Sequence, residues 1–69
     1  MTADPAAQAL ATRDRAQRLY AADRLPVAAH VRARALWIAA TDTAPTDPSR
    51  ARRLADDAAE LVDAYDHTR

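Results

Sequence analysis

The chain has 69 residues, room for one small domain and no more. It contains no Cys, which excludes disulfides and thiolate metal sites, and its formal charge of zero argues against the cation excess that general nucleic-acid binding needs. Nearly half of it is hydrophobic, but most of that half is Ala, so the bulky apolar side chains are few. A chain of this size buries only ~60% of the surface its unfolded form exposes. With neither disulfide nor metal to hold it, oligomerisation is the remaining support, and at least a dimer is expected. The charges are unevenly placed, at +3 over residues 1–40 and −3 over residues 41–69. Such asymmetry can orient docking within the chain or between copies. Every basic residue apart from the two His is Arg, in keeping with the codon usage of a GC-rich genome, such as an actinobacterial one.

Asp4-Pro5 opens the first helix: an acid at the N-cap, then a Pro at the first helical position, where its missing N–H costs nothing. This helix is predicted over about 5–22. Ala9, Thr12, Ala16 and Leu19 form a three-and-four seam, with Tyr20 beside it as a half-buried residue with a wet hydroxyl. Asp14 and Arg18, four apart, are expected to pair on the outer face. Asp23-Arg24-Leu25-Pro26 then breaks the helix, with Asp23 read as a cap for the second helix. So short a connection makes the two flanking helices antiparallel neighbours.

The second helix, about 26–40, is the stretch the rest must cover. Val27–Ala40 is apolar almost all round, interrupted only by His30, Arg32 and Arg34, and it carries the only Trp and the only Ile. Val27, Val31 and Ile38 make one face. Ala29, Ala33, Leu36 and Ala40 make another, with Trp37 at its margin. Two apolar faces suit a central helix between two others.

Residues 41–47 form a polar loop around Pro45, and Asp47-Pro48 repeats the opening signal for a third helix over about 48–66. Ala51, Leu54, Ala58, Leu61 and Tyr65 recur at three-and-four spacing, with Ala55 and Val62 alongside. Arg52, Arg53, Asp56, Asp57, Glu60 and Asp63 lie on the outer side, and His67-Thr68-Arg69 is expected to fray. With no Gly for hairpin turns, the fold class is all-α: a three-helix up-down-up bundle with the second helix central, self-associating through leftover apolar surface.

Few residues carry chemistry. His30, Arg34 and Trp37 fall on one stripe, where a guanidinium could hold an anion against an indole wall, His30 and Arg34 making the contact. Against that stands Trp37 as a core anchor, or the stripe as an oligomer interface, since Trp and Arg dominate hot spots. Neither His30 nor His67 has a partner at metal-ligand spacing, and the acidic run lacks the Glu-x-x-His spacing of di-iron helices. No catalytic residue, cofactor or metal is therefore assigned. Arg13, Arg15, Arg18 and Arg24 form the most basic strip, diluted by Asp14 and Asp23. The small-residue spacing of a tandem helical repeat is met in part, but Arg32 stands where a large apolar residue is required.

The leading reading is a non-enzymatic helical interaction module or accessory subunit, a homo-oligomer that also receives a second protein. Its partner-binding residues are expected to be Val31, Arg34, Trp37, Ile38, Leu61 and Tyr65. A small DNA-binding regulator and a small-molecule or catalytic helper built on His30, Arg34 and Trp37 are the alternatives. No apolar run approaches the ~20 residues of a membrane span, and an acid stands where a signal peptide would be basic, so the cytoplasm is the expected compartment.

Overall fold

The computed structural model describes residues 4–66, and over these the chain forms three α-helices and no strand: α1 (Pro5–Ala21), α2 (Val27–Thr43) and α3 (Pro48–Asp63). The two Asp-Pro openings form as expected. The Asp4 carboxylate accepts the Ala7 backbone N–H at 3.3 Å, and that of Asp47 accepts the Arg50 N–H at 3.1 Å, each with Pro in the first turn. Each cap satisfies one otherwise orphaned donor, and removing such a cap typically costs about 1 kcal/mol.

Asp23 has a different role from the expected one. It takes φ 60°, the left-handed region, and closes α1 instead of capping α2. The Arg24 N–H bonds the Leu19 carbonyl at 2.8 Å and the Asp23 N–H bonds that of Tyr20 at 3.0 Å, the paired bonds of a Schellman closure. This position usually takes Gly. In a chain without Gly, a short acid whose side chain tolerates left-handed backbone is the nearest substitute. α2 consequently starts at Val27 with Pro26 as its N-cap and no side-chain cap bond. The turn drives Leu25, 3% exposed, into the core.

Two other boundaries shift. α2 continues through residues 41–43, which the polar composition assigned to the loop. The Thr41 hydroxyl donates back to the Trp37 carbonyl at 2.9 Å, so the side chain is satisfied within the helix. α3 stops at Asp63, three residues early, and its chain leaves through turns from Tyr65 to Val62 and from Asp66 to Asp63. The expected fraying of 67–69 lies outside the described residues.

The interior is built from small residues. Pro5, Ala9, Thr12, Ala16 and Leu19 of α1 are buried, as are Ala29, Ala33, Trp37 and Ala40 of α2. In α3 the buried set is Ala51, Ala55, Ala58 and Val62. The α3 seam is thus rotated from the expected one: Leu54 and Leu61 sit half-buried at its edges, and Tyr65 is 39% exposed. Alanine on the contact line lets helices approach to the short end of the 8–10 Å range, and the leucines then close the sides. α2 is not sandwiched between its neighbours. All three helix pairs are in contact, so both neighbours of α2 share its alanine side.

Polar side chains brace α1 to α3. Gln8 donates to Asp56 at 2.7 Å and accepts from Arg52 at 3.3 Å, while Arg15 holds both Asp63 and Asp66. The offset between Gln8 and Asp56 equals that between Arg15 and Asp63, forty-eight residues. These groups are half-buried to exposed and still reached by solvent, so each ion pair contributes about 1 kcal/mol or less.

Two substitutions test this packing by urea denaturation. Asp23→Val is expected to cost about 1–2 kcal/mol by forcing a β-branched residue into left-handed backbone, with Asp23→Gly at least as stable as the parent. Ala33→Leu, at a fully buried helix contact, should cost about 1–3 kcal/mol by overpacking.

Candidate interaction surface

Of the His30, Arg34 and Trp37 stripe, the structure joins two members and separates the third. Trp37 is 6% exposed and belongs to the core. The His30 ring meets it edge-on, with centroids 6.0 Å apart and planes at 81°. On its other side His30 stacks on Tyr20 of α1, with centroids at 4.3 Å and planes at 27°. The three rings form a ladder across the α1–α2 junction. Edge-to-face and offset-stacked rings each add ~0.5–1.5 kcal/mol beyond the area they bury. Arg34 lies outside this ladder, exposed, and among the described residues it has no ion-pair partner. The anion clamp expected from the stripe is therefore not assembled: the indole is enclosed, and Tyr20 covers a face of the imidazole. Tyr20 is the ring that sequence reasoning did not link to His30. Its signal was the short connector, which brings the last turn of α1 beside the first turn of α2.

The face formed by Val27, Val31 and Ile38, which holds two of the residues expected to bind partners, points outward and does not meet a second neighbouring helix. Val27 is 63% exposed, Val31 60% and Ile38 40%, on one stripe of α2 with Arg34 between them. The two apolar faces of this helix are inequivalent because only one carries Trp37 and Leu36. Burying an indole removes more apolar surface from water than burying a valine, and the alanines beside Trp37 permit close approach. At the α1 edge of the stripe, Leu10, itself 44% exposed, lies near Ile38. These two with Arg13, Trp37, Thr41 and Asp42 surround an open, mainly apolar depression of about 210 Å³.

Leu61 and Tyr65 are elsewhere. They line a separate depression between α2 and α3, together with Pro26, Ala28, Ala29 and Arg32. The six residues expected to bind partners thus divide among three places. Trp37 is internal, Val31, Arg34 and Ile38 are on the outer stripe of α2, and Leu61 and Tyr65 border α3.

Some of the charged groups are engaged within the chain. Asp14 pairs with Arg13 at 3.1 Å, not with Arg18 as its helical spacing suggested. Arg15, from the basic strip, is held by Asp63 and Asp66. Among the described residues no three His, Cys, Asp or Glu side chains could share a metal ion, and no helix is long and apolar enough to cross a membrane. His67 lies outside the described residues.

The ladder has a direct test. Trp37→Ala is expected to cost about 3–5 kcal/mol, enough to unfold much of so small a chain, whereas His30→Ala should cost about 1–3 kcal/mol through its two ring contacts. Thermal unfolding followed by far-UV circular dichroism measures both. Tryptophan emission in the parent should resist acrylamide quenching until the helices melt.

Comparison with known proteins finds no matching family model, no matching curated protein and no matching solved structure.

Proposed function

We propose that this chain is a small non-enzymatic interaction module of the cytoplasm, acting as a homo-oligomer through the outer stripe of α2. The observation that carries this reading is the exposure of Val27, Val31 and Ile38 on a single helical stripe, continued by Leu10. Isolated exposed apolar residues are ordinary, but a continuous rimmed patch of them marks a contact surface. Full burial of a Val- or Ile-sized side chain contributes roughly 1.5–3 kcal/mol. Covering the partly exposed stripe supplies a share of that for each residue.

The helices run up-down-up in this reading. The equal offsets of Gln8–Asp56 and Arg15–Asp63 support α1 and α3 running the same way. Tyr20 against His30, and Leu10 near Ile38, support α2 running against α1. The need for company differs from the one the composition suggested. Trp37 is already enclosed by one chain, so association serves the β-branched stripe and not the indole. The groove bordered by Leu61 and Tyr65 remains available for a second protein.

Sedimentation across a concentration series tests the proposal. The parent chain should sediment above its 7.5 kDa monomer mass at micromolar concentration and dissociate on dilution. Ile38→Asp, at an exposed site, should weaken association by at least about tenfold with helicity unchanged. A parent that stays monomeric throughout would overturn the reading.

A further inference from the structure

We propose that two copies pair antiparallel across Ile38, with Arg34 of each copy lying against Asp42 of the other. The inference rests on the self-association proposed above and specifies its register.

Arg34, Ile38 and Asp42 are spaced by four, so they form one continuous row on the exposed side of α2, a cation, an apolar residue and an anion in order. All three are exposed. Neither charged member has an ion-pair partner among the described residues, although most acids of the α1–α3 brace do. Arg13, the cation that lines the Ile38 depression beside Asp42, is taken by Asp14 at 3.1 Å. Asp42 is thus left without an ion-pair partner among the described residues.

A row that reads plus, apolar, minus is its own complement when reversed. A two-fold axis perpendicular to the row at Ile38 sets each Arg34 beside the partner's Asp42, giving two symmetric charge pairs around an apolar centre. Alignment of the rows of residues four apart on facing helices is also the commonest class of helix packing. The open depression beside Ile38, rimmed by Leu10 and Trp37, offers room for an aliphatic side chain from the other copy. An isologous contact of this kind closes at two copies.

Charge rejects the obvious competitor. Centring an antiparallel pair on the middle of the Val27–Ile38 stripe would maximise apolar overlap. It would also bring Arg34 of both copies close together near the axis, two guanidiniums with no acid on α2 between Val27 and Thr41. Like charges face to face disfavour that register. Sliding the pair to Ile38 exchanges some valine overlap for opposite charges at both ends.

Charge reversal with rescue tests the pairing, read as the dimer dissociation constant from sedimentation equilibrium at low salt. Arg34→Asp alone and Asp42→Arg alone should each weaken the dimer by about tenfold or more, because each change sets like charges together at both symmetric sites. The double variant Arg34→Asp/Asp42→Arg should recover to within about threefold of the parent. Both substituted positions are exposed and helical, and circular dichroism checks that each variant folds. Singles that dimerise like the parent, or a double that fails to recover, overturn this register while leaving self-association standing. A parent that never dimerises, its stripe open to a different protein, overturns both.

Discussion

Close approach of alanine-lined helices is the constraint on which the rest of this structure depends. Ala9, Ala16, Ala33, Ala40, Ala51, Ala55 and Ala58 are all fully buried, and each occupies a contact line where a larger residue would hold the helices apart. Little apolar area is buried per residue in such an interior. The bulk comes from a few side chains at its ends and edges: Trp37, Leu19, Leu25 and Val62 inside, and Leu36, Leu54 and Leu61 at the margins. Stability therefore concentrates in Trp37 and in the alanine contact lines, with smaller contributions from the closures at Asp4, Asp23 and Asp47.

The same constraint explains the surface. A helix whose alanine side faces inward must turn its opposite side out, and in α2 that side carries Val27, Val31 and Ile38. α1 and α3 carry polar residues around their seams, and these brace the two helices to each other through Gln8, Arg15, Arg52, Asp56 and Asp63. α2 has no comparable polar side. Its exposed aliphatic row is what the proposed function uses, and the opposite charges at Arg34 and Asp42 supply the register that an apolar row lacks.

Much of this was legible in the residues. The Asp-Pro pairs marked two helix starts because capping and the missing proline N–H act within four residues. The α1 seam was readable from its middle, where Arg13, Asp14, Arg15, Gln17 and Arg18 leave only Thr12, Ala16 and Leu19 to face inward. What could not be read was the rotation of α2 and α3. Alanine is compatible with both core and surface, so a seam written in alanine leaves the helical phase open by about one position, and Leu54, Leu61 and Tyr65 drew the expected α3 seam to one side. In α2 both faces were apolar, and the choice depended on where Trp37 found neighbours, a tertiary matter. Asp23 was misassigned because the acids that cap helices also serve, in a chain without Gly, at left-handed closures. The anion stripe dissolved for a related reason: helical spacing aligned His30 with Trp37 but did not reveal Tyr20 coming from α1 to cover the imidazole.

The alanine-inward, valine-outward orientation of α2 is the central claim, and the absence of Cys makes it measurable with single thiol probes. Native-state labelling of Val31→Cys and Ala33→Cys, two residues apart on opposite sides of one helix, compares the two faces directly at dilutions that favour the monomer. The thiol at position 31 should react nearly as fast as in an unfolded peptide, while that at position 33 should be protected until the bundle opens. Equal rates, or protection at 31 with ready reaction at 33, would contradict the account.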